Sequence, residues 1–227
     1  MTQIALDPLD LAALLCSRVC HDVISPVGAI VNGLEILEDE KDADMRAEAL
    51  QLIRASAENA SARLQFCRLA FGAAGSAGAS IDTGDAEKVA RGLFSDAKIK
   101  LDWRAPRVLL PKNKVKLILN LCLIASAAIP RGGVITVETI TADAKEGALE
   151  PTIALRVIAQ GTNAKLAPLT AAILAGAPAE AIDAHAIQPY YAALVAQAAG
   201  MSLKAETGAD FVAIEATPAA PAQSEAA

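Results

Sequence analysis

Hydrophobic positions in the first third of the chain recur in steps of three and four. Leu11, Leu15, Val19, Val23, Val27, Ile30, Leu34 and Leu37 form one stripe, the period of a helix that buries one side. Asp7 followed by Pro8 is a start signal, a capping acid with proline at the first helical position. A helix is therefore predicted from there to about Leu37. Residues 38–42 make a polar connector, and Asp42 or Asp44 can cap a second helix. A second stripe carries Leu50, Ile53, Ala57, Ala60, Leu64, Cys67 and Phe71 without a slip, the heptad spacing of a bundle seam. Two helices of about 30 residues with a short connection form an antiparallel hairpin roughly 45 Å long. Leu14, Ile24 and Val31 lie off the main stripe, so the first helix needs more than one neighbour. A hairpin from a second copy would complete a four-helix bundle, and packing on the chain's own C-terminal part is the alternative. Homodimerisation through residues 7–72 is the expectation.

The pattern then changes. Residues 73–80, rich in glycine, alanine and serine, read as a flexible linker. Beyond it, 85–94 reads helical, while 98–104 and 108–110 alternate as strands. Residues 112–128 are a strongly apolar helix closed by Pro130 and Gly132-Gly133. Two strands, 134–140 and 151–158, flank an acidic turn with Gly147. A helix over 184–199 stops at Gly200, and strands 201–206 and 211–215 meet at Thr207-Gly208, a hairpin signal. Residues 81–216 thus read as an α+β sandwich with helices on one face of a sheet, and 217–227 as a disordered tail.

Composition narrows the function. The chain has 227 residues, enough for one domain or two, and a net charge of −6 with a pI near 5.0. That balance argues against nucleic acid as a partner. No unbroken apolar run approaches the ~20 residues of a membrane span; the best, 117–129, is interrupted by Asn120 and Ser126. The first residues lack the basic character of a signal peptide, so a cytoplasmic protein is expected. Cys16, Cys20, Cys67 and Cys122 show no C-x-x-C spacing and read as reduced thiols acting as small hydrophobes. His185 matches no chemical pattern and reads as structural or surface.

His21 is different. At about 100° per helical residue it lies about 200° from both Val19 and Val23 and so faces away from the stripe. Ser17, Arg18 and Ser25 are one turn away and Gly28 two, small or polar groups that leave room for another protein. Pro26 sits five positions on, inside the helix, at a cost of about 3 kcal/mol. A rule broken beside an exposed imidazole marks a functional site.

His21-Asp22 with Pro26 resembles the H-box of sensor histidine kinases. The stretch from Leu119-Asn120-Leu121 through Pro130 to Val137 resembles the kinase N-box helix and its following strand. Other kinase parts are replaced. The metal- and phosphate-binding asparagine falls at about Ile124. In Val157-Ile158-Ala159-Gln160-Gly161-Thr162-Asn163 the adenine-reading aspartate is Ala159 and the second glycine Asn163. No Gly-x-Gly-x-Gly loop precedes the 184–199 helix, only Gly176 and Pro178. This combination resembles the dimeric histidine phosphotransferases of the ChpT type, over roughly residues 7–216.

The resemblance implies a dimeric four-helix bundle with a degenerate Bergerat (kinase-ATPase-like) domain. It implies transfer of a phosphoryl group from the receiver domain of a hybrid histidine kinase to His21, then to response-regulator receivers, without ATP. No cofactor of its own is expected; Mg²⁺ comes in the partner receiver. By analogy with the kinases, Nε2 of His21 attacks while Asp22 accepts a hydrogen bond from Nδ1–H and steadies the charge on the ring. Arg18 steers the receiver or contacts phosphoryl oxygens; Ser25 and Gly28 keep the approach clear, and Asn32 continues that face. From the second helix, Arg54, Glu58 and Ser61 are expected near the same groove as docking residues. The rival readings are a divergent ATP-dependent kinase and a receiver-binding adaptor that passes no phosphoryl group.

Overall fold

The computed structural model describes residues 6–72, 79–95, 98–142, 152–177, 182–184 and 186–219. Two long helices come first. α1 (Pro8–Asp39) is capped by Asp7, whose side chain accepts the Leu9 N–H at 2.8 Å. It runs unbroken through Pro26, where the Asp22 carbonyl loses its helical donor. α2 (Ala43–Ala70) is capped by Asp42, which accepts the N–H groups of Asp44 and Met45. The two helices pack along each other as the expected hairpin, closest at Gly33, where a Cβ would meet Ile53 Cγ1 at 2.6 Å.

The face that α2 turns inward differs from the expected stripe. Of that stripe Ala60 and Cys67 are buried and Ile53 half-buried, whereas Leu50 is 57% and Leu64 50% exposed; Ala49, Ser56, Phe66 and Ala70 are buried as well. Small residues make the hairpin seam because they let the helix axes come close. The larger ones point out, and on α1 Ile24, Val27, Val31 and Leu34 are exposed too. α1 is also long and apolar enough to cross a membrane by length and composition. This corrects the reading from unbroken runs alone: alanines and valines spread along α1 raise its average without forming a run.

The second part begins earlier than the sequence pattern implies. β1 (Ser80–Asp82) pairs antiparallel with β3 (Leu109–Pro111), so Ser80 is strand rather than linker. α3 (Thr83–Leu93) starts two residues ahead of expectation because Asp82 accepts the Gly84 N–H at 2.8 Å and caps it. β2 (Ile99–Trp103), α4 (Lys112–Ala128) and β4 (Gly133–Ala142) form a parallel crossover, after which β5 (Thr152–Gln160) returns antiparallel. A short helix, α5 (Pro168–Leu174), went unread, and α6 (Ile187–Ala198) starts three residues later than expected. β6 (Met201–Thr207) and β7 (Phe211–Pro218) close a five-stranded sheet of order β2-β4-β5-β7-β6. Strand β7 takes in Thr217 and Pro218, where a disordered tail was expected. The 73–78 part of the expected linker, the turn at Gly147, Pro178, His185 and the tail from 220 lie outside the described residues.

The architecture is α+β, with a helical hairpin followed by the sheet domain expected from the sequence. One core joins both parts: Phe66 and Ala70 of α2 belong to the same buried cluster as α4 and the sheet. Asn120, fully buried, ties the junction. Its amide donates to the carbonyls of Ala70 (3.1 Å) and Lys116 (2.8 Å), and its oxygen accepts from Gln188 of α6 (2.7 Å). At the same end of the hairpin, just before α1, the Leu6 N–H donates to the Tyr190 hydroxyl at 3.1 Å. The sheet domain is therefore a fixed mount for the helix that carries His21.

Candidate functional site around His21

His21 stands on α1 with its side chain 83% exposed, beside Asp22 at 18%. The imidazole Nδ1 lies 3.2 Å from Asp22 Oδ1. A carboxylate only accepts, so Nδ1 carries the proton in this pair and Nε2 holds the free lone pair toward solvent. Asp22 is held from its other side: Arg18 Nε donates to Oδ2 at 3.0 Å, one helical turn back.

Across the hairpin a groove of about 510 Å³ opens at the histidine, lined by His21, Asp22, Ser25, Pro26 and Ala29 of α1 and by Ala55, Ser56, Asn59 and Arg63 of α2. Arg63 Nε donates to Asn59 Oδ1 at 2.6 Å, which sets its guanidinium along the groove wall. The structure brings together His21, Asp22, Ser25 and, through Asp22, Arg18. A side chain at Gly28 would meet nothing within 4 Å, and Asn32 is exposed further along α1. Arg54, Glu58 and Ser61 are exposed but do not line this groove. Glu58 and Ser61 line another, shared with Lys88, Val89 and Gly92 of α3. Their placement corrects the expectation, drawn from antiparallel pairing, that they share this groove. Asn59 and Arg63 are the polar residues that reading missed; the small inward residues Ser56 and Ala60 were the signal for them.

Behind the site, burial pushes the Cys67 thiol up to about 11, with the nearby Asp22 charge adding and Arg18 and Arg63 opposing. At neutral pH Cys67 is a closed apolar floor and no nucleophile.

The nucleotide-binding positions of the kinase pattern are filled. Ile124 (3% exposed) and Ala159 (0%) are core residues. Gly161 remains because a Cβ there would strike the Gly132 carbonyl oxygen at 2.5 Å, a packing reason without a ligand. Asn163 takes a positive φ of 59° and its N–H donates to Asp210 Oδ1 at 2.9 Å. The space between α4, residues 165–170 and the start of α6 is about 110 Å³ among the described residues, with Leu123, Ile124, Ala127 and Leu166 in its wall. Ligand pockets for drug-sized molecules run to about 300–1,000 Å³. With Ile124 in place of an oxygen or nitrogen ligand, these residues do not fit a Mg²⁺–nucleotide.

A helical hairpin with an exposed, carboxylate-paired histidine, mounted on a sheet domain, is the arrangement of a phosphotransfer protein. Comparison with known proteins narrows the class. The family model of the histidine phosphotransferase C-terminal domain matches residues 83–211. The chain is 51% identical over 210 residues to protein phosphotransferase ChpT of Brucella abortus (strain 2308), covering 92% of this chain and 96% of that protein. A solved bacterial phosphotransferase is 47% identical and superposes with a TM-score of 0.80, over 95% of this chain and 100% of the other. The chain belongs to the histidine phosphotransferase family and is a histidine phosphotransferase of a phosphorelay.

Proposed function

We propose that His21 is the phosphoryl acceptor, taking its group from the receiver aspartate of a hybrid histidine kinase and passing it to response-regulator receivers. The observation that carries this reading is the pairing of an exposed imidazole with a carboxylate at Nδ1. It leaves Nε2 as the nucleophile. Nε2 attacks the phosphorus of the aspartyl phosphate; the P–N bond forms, the P–O bond breaks and the receiver recovers its carboxylate. Positive charge gathers on the ring as it bonds, and Asp22 stabilises it through Nδ1–H. The reverse step hands the group to a second receiver. Phosphoryl transfer rests on positioning and charge neutralisation, and Mg²⁺ is brought by the receiver. Ser25 and the open space at Gly28 admit the receiver, while Arg63 in the groove wall favours its acidic active site. Asn32, Arg54, Glu58 and Ser61 remain docking residues at the margin of that contact.

The chain passes phosphoryl groups without using ATP itself; the small space beside Ile124, about 110 Å³, supports this. It works as a homodimer. Val27, Val31 and Leu34 of α1 and Leu50 and Leu64 of α2 are exposed on the side of the hairpin away from His21. Their steps of three, four and seven are those of a second bundle seam. Paired hairpins would cover them in a four-helix bundle, which accounts for the apolar character of α1 in a cytoplasmic protein.

The test is transfer from a labelled receiver of a hybrid kinase to a second receiver. Wild-type protein carries the label across; His21→Ala does not, and ATP alone labels nothing. Label appearing from ATP alone would restore the kinase reading. Transfer surviving in His21→Ala would reduce the chain to an adaptor.

A further inference from the structure

We infer that Arg18 is a positioning residue for the transfer, acting through Asp22 to set the tautomer of His21, and that the sheet domain holds Arg18 in place. The inference rests on the reading of His21 as the acceptor. Its observations are separate from that reading. Arg18 and Asp22 are 30% and 18% exposed while His21 is 83% exposed, so a half-buried ion pair backs a bare ring. Each Asp22 oxygen has one partner: Oδ2 takes Arg18 Nε at 3.0 Å and Oδ1 faces His21 Nδ1 at 3.2 Å. A carboxylate pinned at one oxygen cannot swing about its χ2 bond, and the other oxygen is then fixed against the ring.

Arg18 is in turn part of the domain contact. It lines both the small cavity beside α4 and a larger groove that runs from Asp22 and Arg63 to Pro130. Leu123 and Ala127 of α4 line both spaces with it. Arg18 therefore faces the second half of α4, the helix that Asn120 ties to the end of α2, across these spaces. The domain that resembles an ATPase keeps a use: its helix backs the arginine that aims the carboxylate that orders the imidazole.

A docking role for Arg18 predicts something else, weaker receiver binding with unchanged chemistry. The experiment separates them in the free, full-length protein. Nitrogen NMR of ¹⁵N-histidine protein at about pH 8, above the ordinary histidine range, reads the tautomer directly. The chain has two histidines, and a His185→Gln variant assigns them. His21 is expected as the Nδ1–H tautomer in the wild type, moving to a mixture in Arg18→Ala and less so in Arg18→Lys. Transfer at saturating receiver falls about tenfold in Arg18→Ala, the scale of one hydrogen bond to a charged group, with receiver affinity unchanged. In an Asp22→Asn background Arg18→Ala adds no further loss, because both act through one carboxylate. Leu123→Ala, which keeps every charge, shifts the tautomer in the same direction. An unchanged His21 tautomer in Arg18→Ala and Arg18→Lys, or a loss confined to affinity, would overturn the inference. Failure of the wild type to accept label from any receiver would instead sink the acceptor reading and leave the tautomer measurement standing.

Discussion

Helix α1 leaves its reactive group bare, while α4 seals the place where a kinase would hold its ligand. At His21 the ring is 83% exposed and bonded on one side only. At Ile124 the side chain is 3% exposed, and the nearby Asn120 spends its amide on Ala70 and Lys116 and its oxygen on Gln188. The two helices share one frame, yet one keeps chemistry and the other has traded it for packing. The difference teaches where to look for function on an inherited fold: at polar groups whose bonding is left incomplete toward solvent. Buried polar groups that are fully satisfied hold the frame.

Several variants would break or sharpen that contrast. The largest effect is expected at His21→Ala, which should reduce transfer between receivers to background in the labelled assay. Asp22→Asn should come next, keeping the fold but slowing transfer by about 100-fold or more, the usual worth of a positioned acid–base partner; stopped-flow or quench kinetics read it. On the apolar side of α1, light scattering should find the wild type as the proposed dimer and Val31→Glu as a monomer, since a charge buried unpaired in a bundle seam costs several kcal/mol. On the sealed side, Asn120→Ala leaves the Ala70 carbonyl and the Gln188 amide without partners and should cost about 1–3 kcal/mol in denaturant unfolding. The smallest effect is one of pH. Burial raises Cys67 to about 11 from 9.0, so the unfolded chain loses this proton first. The stability it contributes is whole below pH 9.0 and is lost as pH rises toward 11; Cys67→Ala should flatten that slope in melting curves.

The site was legible because its signals are local. An imidazole opposite an apolar stripe, an adjacent acid and a proline five residues on are all read within two helical turns. Helix α4 was legible to the residue, since an apolar run stopped by Pro130 and a glycine pair has few other shapes. The features that stayed hidden depend on partners far along the chain. The α2 seam was read to include Leu50 and Leu64 because large apolar residues usually point inward, yet close helix packing kept only the small Ala60 and Cys67 of that stripe buried and added Ala49 and Ser56. The groove residues Asn59 and Arg63 went unread beside them. Strand β1, three residues long, was too short for periodicity to reveal, although its partner β3 was read at 108–110. The Arg18–Asp22 bond is an i,i+4 pair that any helix allows, and only the packing of Arg18 beside α4 gives it meaning.

The mechanism turns on which atom of which residue holds the phosphoryl group. Phosphorus NMR of protein phosphorylated by a receiver, with peptide mapping of the same sample, measures it. One phosphohistidine is predicted, at His21, with phosphorus on Nε2 and Nδ1 still bonded to Asp22. Phosphorus on Nδ1, or on any other residue, would contradict it.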